Sequence, residues 1–281
     1  MNAILVNDTS TEMHTGCIAL MSALCGGFAM HGVNIRFRAQ RGLPPADAVG
    51  AMGSLPDICI INGEGSLHHD SGNTHFLWSW LAYNRAHSIP TVLVNSVWDS
   101  MRPTAAQRDL LNDLRYVSCR ESNSQASLAE AYDGYVNVVP DAIFLHHYCS
   151  GVSEGNGATL YCPGVNDPQT YRDMPTLLIQ QHSPLDLQDW MARLMNYDRL
   201  LTGRFHAACI ALICGMPVYC VPSSSHKMEG LAEDSGAFTV YPNLEAAETS
   251  PLMPDVDAGL MYVERARQEI HEMLYAVKHA I

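Results

Sequence analysis

Short continuous apolar runs alternate along the chain with longer segments whose apolar residues recur at helical spacing. Residues 3–6, 33–37, 57–61, 90–95, 116–119 and 136–139 predict strands. Between them, residues 15–30, 75–87, 104–114 and 121–132 predict helices. Residues 149–158 are rich in Gly and Ser with almost no apolar anchor, which marks a linker. The alternation then resumes. Strands are predicted at 159–162, 176–180, 199–201, 217–221 and 237–240. Helices are predicted at 185–195, behind the start signal Ser183-Pro184, and at 204–214, 227–234 and 257–281. Such alternation predicts mostly parallel sheets covered by helices, here in two α/β domains spanning residues 1–150 and 156–281. Two such halves imply a cleft between them.

Composition narrows the function. Hydrophobic residues make up 47% of the 281 and charged residues 16%, which supports a folded core and excludes a disordered or fibrous chain. The net charge of −13 disfavours a general nucleic-acid binder, since such a surface repels long polyanions. A local basic pocket for a small anion remains compatible with it. The nine cysteines form no CxxC pair, and most sit in apolar runs. They read as buried reduced thiols, which favours a reducing, cytoplasmic location. The first residues lack the basic and long apolar regions of a signal peptide, and no apolar run is long enough to predict a membrane span.

Ligands of open α/β sheets sit beyond the carboxyl ends of strands, so residues just after strands carry the chemistry. The first such segment is Asn62-Gly63-Glu64-Gly65-Ser66, followed by His68 and His69. Two glycines let backbone N–H groups approach an anion, and a histidine exchanges a proton near neutrality. His68 is the preferred candidate of the pair. The segment matches neither a GxGxxG fingerprint nor a P-loop. In the second segment Arg120 stands between a strand and a helix, where a guanidinium can clamp a carboxylate or phosphate; the bland alternative is a surface pair of Arg120 with a glutamate, beside capping serines. In the third, Arg204 and His206 stand at the mouth of a very apolar helix, where charge is costly without a partner. Ser225 and Lys227 follow the strand at 217–221 and suit phosphate at a helix start. Asp8, Thr9 and His14 follow the first strand, and Asp141 follows the strand at 136–139; these are expected to line the same cleft. The adjacent pairs His68-His69 and His146-His147 lack a completing ligand set, so no metal is expected.

Taken in order, these segments resemble the polysaccharide pyruvyl transferase family. The resemblance rests on Asn7-Asp8-Thr9-Ser10 with His14-Thr15-Gly16-Cys17, on Gly63-Glu64-Gly65-Ser66 with His68, and on Arg120-Glu121-Ser122 with Ser124. It continues through Pro140-Asp141, Gly203-Arg204-Phe205-His206-Ala207, Gly215-Met216-Pro217 and Lys227. Glu64 stands where a third glycine is commoner, Phe205 replaces the usual leucine, and the proline after Asp141 is missing. The resemblance implies two Rossmann-like domains facing a cleft, the GT-B-like arrangement. It implies transfer of a pyruvyl group from phosphoenolpyruvate to two sugar hydroxyls, with no metal and no cofactor beyond that co-substrate. Arg120 and Arg204 would hold the donor, and His206 or His68 would act as general acid or base.

Two other readings share these residues. One is a GT-B glycosyltransferase with a nucleotide-sugar donor, acting on a glycan or a hydroxylated DNA base. The other is a non-catalytic glycan- or nucleotide-binding relative. Fold alone does not choose among them.

Overall fold

A computed structural model describes all residues except 70, 149–155, 166 and 281. Most of the linker expected at 149–158 therefore lies outside the described residues. The chain divides into two compact units. The first comprises Met1–Thr11, Met21–Ala142 and Glu269–Ile281; the second comprises Glu12–Leu20 and Ile143–Gln268.

The first unit carries a six-stranded sheet. In chain order its elements are β1 (Asn2–Asp8), the later part of α1 (Thr15–Met30), β2 (Asn34–Gln40), α2 (Pro45–Met52), β3 (Ile58–His68) and α3 (Gly72–Ala86). They continue with β4 (Thr91–Asp99), α4 (Ala105–Asn112), β5 (Tyr116–Cys119), α5 (Ser122–Ala129) and β6 (Asn137–Val138). The strand order is β2-β1-β3-β4-β5-β6 and every pairing is parallel. The order reverses between β1 and β3, which makes the carboxyl ends of these strands the natural ligand side. Ile4, Val6, Cys59, Ile61, Leu93 and Trp98 belong to the buried core on this sheet. Helix starts are set locally. Thr104 and Gln107 form a reciprocal capping box at α4, and Ser71 accepts from the Thr74 amide at α3.

The second unit carries a three-stranded parallel sheet in the order β7-β8-β9. Its elements are β7 (Thr159–Cys162), α6 (Leu187–Leu194), β8 (Arg199–Thr202), α7 (Phe205–Ile213), β9 (Val218–Cys220), α8 (Lys227–Ser235), α9 (Leu244–Glu248) and α10 (Val256–Lys278), the last only to Gln268. Every residue of α7 is buried, as its unbroken apolar sequence requires. Its end is marked by Gly215 in the left-handed region at φ 64°, a conformation that costs glycine nothing.

The α/β class and the parallel pairing agree with the alternation in the sequence, but several elements differ. The turn expected at 62–66 is part of β3, which runs on to His68. The strand is irregular there: Glu64 takes φ 37°, and its register against β4 slips between Glu64 and Leu67. Residues 176–180 and 237–240 are not strands. Each region touches the sheet through a single bridge, Tyr161 with Thr176 and Cys220 with Val240. Extension into residues 177–180 would need the residue two beyond Tyr161 to donate to the Leu177 carbonyl, and that residue is Pro163, which has no N–H. Helices α2 and α9 lie where the apolar pattern predicts no element, and local signals start both: Pro45 at the first turn of α2 and the Asn243 cap of α9.

Candidate functional site

Two groups of candidate residues emerge, one in each unit. In the first unit they stand at the carboxyl ends of β1, β3, β4 and β5. Asn7 bridges two of these strand ends, its Nδ2 donating to the Asn62 carbonyl at 2.7 Å and to Ser66 Oγ at 3.1 Å. Arg41 donates to Asn7 Oδ1 at 3.2 Å and to the same Ser66 Oγ at 3.1 Å. Asn95 Nδ2 donates to Asn62 Oδ1 at 3.2 Å, and the Ala142 amide donates to Asn95 Oδ1 at 3.3 Å. Asn7 and Asn95 both have positive φ, 66° and 56°, which asparagine tolerates better than most residues. This asparagine network pins the loops and was not visible in the sequence motifs; its one local signal is asparagine placed at or near strand ends.

Gly63 proves to be a packing glycine. A Cβ there would lie 2.3 Å from Ser96 Cβ and 2.8 Å from its Cα, so the residue lets β3 and β4 approach. At Gly65 an added Cβ would meet only His68 Nε2, at 3.8 Å. Glu64 is buried, and one of its oxygens accepts from Asn62 Nδ2 at 3.4 Å. His68 ends β3 half-buried, edge-on to the His69 ring at 5.0 Å. Asp8 pairs with Arg38 at 3.4 Å, while the buried Thr9 hydroxyl has no hydrogen-bond partner among the described residues.

Arg120 is 3% exposed and donates through Nη1 to Asp141, itself fully buried, at 2.8 Å. The ion pair is buried and made with Asp141, not a surface pair with a glutamate. Its neighbour Glu121 caps α5 by accepting from the Ser124 amide at 2.9 Å and from the Ser124 hydroxyl. Ser124 Oγ in turn accepts from the Trp98 amide at 2.9 Å.

In the second unit the candidates gather at the amino end of α7. Arg204 occupies the N-cap position in an extended conformation, φ −99° and ψ 119°. Its amide donates to Thr202 Oγ1 at 2.9 Å and its Nε to the Pro163 carbonyl at 2.9 Å. The guanidinium is thus aimed by the ends of β7 and β8. His206 follows in the first turn of α7 and is 7% exposed. Against it lies His14, 8% exposed, with ring centroids 5.5 Å apart in an edge-to-face arrangement.

His14 comes from the residues ahead of β7 in the chain that belong to this unit. That segment is tied down by the Thr15 amide donating to the Ile179 carbonyl at 2.9 Å and by the Thr15 hydroxyl donating to the Leu185 carbonyl at 3.0 Å. Gly16 makes the approach of the rings feasible: a Cβ on it would lie 2.4 Å from His206 Cβ. Ring nitrogens of His14 and His206 and Cys17 Sγ lie within 4.8 Å of one another. Burial, together with the charges of His206, Arg204 and Lys227, lowers the pKa of His14 from 6.5 to about 3. Lys227 opens α8 and donates to Ser224 Oγ at 3.2 Å, and the buried Ser225 hydroxyl beside it has no hydrogen-bond partner among the described residues.

The second unit therefore brings Arg204, His206 and Lys227 around a neutral His14, which sequence order alone did not show. Cys59, Cys119, Cys162 and Cys214 have pKa values raised to about 12 by burial and are no nucleophiles at neutral pH. None of the eight described cysteines is in a disulfide. Among the described residues no helix is long and apolar enough to cross a membrane.

Comparisons with known proteins follow the same line. An uncharacterised protein from Klebsiella pneumoniae superposes with a TM-score of 0.56 at 14% identity, covering 85% of this chain and 93% of its own. A Methanocaldococcus jannaschii UDP-GlcNAc 2-epimerase, solved with UDP-GlcNAc and UDP, gives 0.56 at 10% identity over 94% of this chain and 99% of its own. The Neisseria meningitidis UDP-GlcNAc 2-epimerase bound to UDP-GlcNAc gives 0.52 at 11% identity over 100% of this chain and 94% of its own. At these identities the likeness shows a GT-B-type α/β fold. No curated protein matches the sequence. The family model for polysaccharide pyruvyl transferase matches residues 29–225, a span that holds His68, Arg120, Asp141, Arg204 and His206, and the chain belongs to that family.

Proposed function

We propose that the protein transfers the pyruvyl group of phosphoenolpyruvate onto two hydroxyls of a sugar or glycan acceptor, forming a ketal. The observation that carries this reading is the cluster at the amino end of α7. Arg204 and Lys227 supply fixed positive charge, His206 supplies a proton-exchanging ring, and the Ser225 hydroxyl awaits an acceptor. Such a set suits a small dense anion carrying a phosphate and a carboxylate.

The chemistry balances with these groups alone. One acceptor hydroxyl adds to the central carbon of the enol, and its proton goes to the methylene, which becomes a methyl. The second hydroxyl displaces phosphate from the same carbon, and its proton leaves with the phosphate. His206 relays protons in this scheme. His68, at the end of β3, is the second candidate for a proton-transfer role. Arg204 takes the donor's anionic groups with Lys227. For Arg120, the Asp141 carboxylate already occupies Nη1. Gly65, Ser66, Asp8 and Thr9 stand near the strand ends of the first unit. The nine cysteines, mostly in apolar runs, support a reducing compartment such as the cytoplasm.

The test is a binding and turnover screen. Phosphoenolpyruvate should raise the melting temperature, and release of inorganic phosphate should require a sugar diol. Stabilisation by UDP or UDP-GlcNAc with no response to phosphoenolpyruvate would refute the reading in favour of a nucleotide-sugar donor.

A further inference from the structure

The sequence placed His14 only among residues lining a cleft. The structure gives its Nδ1 a specific neighbour. Cys17 lies three residues on, in the first turn of α1, and its backbone amide donates to His14 Nδ1 at 3.3 Å. A backbone N–H can only donate. Nδ1 therefore holds the lone pair, and the proton of the neutral ring resides on Nε2. The histidine behaves as a side-chain cap for one of the unpaired amides at a helix start.

Three ligand-type residues this close invite comparison with a zinc site, and the hydrogen bond argues against one. A metal-bound histidine presents a lone pair to the metal and donates its other ring N–H to an acceptor. Here the outer ring nitrogen meets a donor, which would leave no proton on the ring if Nε2 also bound a cation. The charges of Arg204, Lys227 and His206 that act on His14 further favour an anion at this place.

We propose that His14 is a fixed Nε2–H hydrogen-bond donor to the anionic donor substrate, held in that tautomer by the Cys17 amide and working beside His206, which moves the proton. The proposal rests on the reading of the α7 cluster as the donor site. It divides labour between two adjacent histidines. His206 stands in the first turn of α7, and His14 is kept neutral first by its burial and then by the charges near it. A neutral imidazole N–H can stabilise charge that develops in the transition state without competing for the transferred proton. Gly16 belongs to the same device, because only glycine lets the His206 ring close on this segment.

The experiment is nitrogen NMR on the full chain labelled at histidine, with His14→Asn to assign the signals. The expected result is a protonated Nε2 and an unprotonated Nδ1 at His14, unchanged from pH 5 to 8 despite the facing His206, Arg204 and Lys227. Addition of phosphoenolpyruvate, or of inorganic phosphate as a second probe, should shift the Nε2 signal. A response to phosphate alone faults the choice of donor and leaves the role of His14 standing. A protonated Nδ1, a His14 titration within that range, or saturable anion binding that leaves Nε2 unmoved overturns the proposal. So does one equivalent of zinc that is retained by the purified protein and lost in Cys17→Ser. In turnover, His14→Ala should lose about 10²–10³ in kcat with a smaller change in KM, as for removal of one oxyanion donor. His14→Gln, which keeps a neutral N–H, should recover at least a tenth of the wild-type kcat. Wild-type kcat in His14→Ala, or equal loss in both variants, assigns the residue to packing instead.

Discussion

Arg120 Nη1 lies 2.8 Å from Asp141 Oδ2, and both side chains are almost wholly buried. A buried ion pair contributes little net stability as a pair, but removing one partner strands the other charge at a cost of about 3–5 kcal/mol. Arg120→Ala and Asp141→Ala should each lower the unfolding free energy by roughly that amount, read from urea denaturation. A stable Arg120→Ala protein that fails only to bind the donor would return Arg120 to the binding site.

Arg204 offers the contrast. It is partly exposed, and its Nε is held by a backbone carbonyl rather than by a carboxylate. Arg204→Ala should therefore stay within about 1 kcal/mol of wild-type stability, as expected away from buried networks, while donor-dependent turnover falls below detection. Unchanged kcat/KM in a folded Arg204→Ala enzyme would remove it from the site.

His206 and His68 are separable by rate. If both shuttle protons, His206→Asn and His68→Asn should each reduce kcat on the order of 10²-fold or more. A loss confined to His206→Asn would leave His68, half-buried at the end of β3, with a structural role.

Gly16→Ala tests the close packing of the two histidine-bearing segments. Its methyl group would meet His206 Cβ, Cγ and Nδ1 between 2.4 and 2.7 Å, so the His206 ring has to move. A displacement of this kind should lower kcat by about 10²-fold, since misplacement of a catalytic group by about 1 Å costs that much. The measurement is kcat alongside the melting temperature, which separates displacement from unfolding.

His14 also predicts a pH dependence of stability. Its pKa falls from 6.5 in the unfolded chain to about 3 in the folded one. Between these values the unfolded state binds a proton that the folded state refuses, so this contribution is complete above pH 6.5 and declines as pH drops toward 3. The slope from this one group approaches about 1.4 kcal/mol per pH unit at mid-window. His14→Gln should be flatter than wild type over this window by nearly one proton, measured as unfolding free energy at successive pH values. Parallel curves would show that His14 takes up its proton in the folded state.

The sequence by itself determined the parallel α/β class, because strand and helix periodicities are local properties of the chain. The helix spanning residues 15–30 and the strands at 116–119 and 159–162 have the bounds their patterns predict. The motif-bearing residues also fall at strand ends, as Arg120 and Arg204 do. Partnership was decided only by the tertiary structure, since it depends on residues far apart in the chain. Asp141 could be matched to Arg120, and His14 to His206, only once the backbone had brought them together. The same reason explains the misread elements: residues 176–180 and 237–240 are apolar enough for strands but make only isolated bridges, Thr176 with Tyr161, Gln180 with His14 and Val240 with Cys220, because pairing needs a neighbour with matching N–H and C=O groups. That Gly63 serves the contact between β3 and β4 is likewise a tertiary fact, since it resides in Ser96 across the sheet.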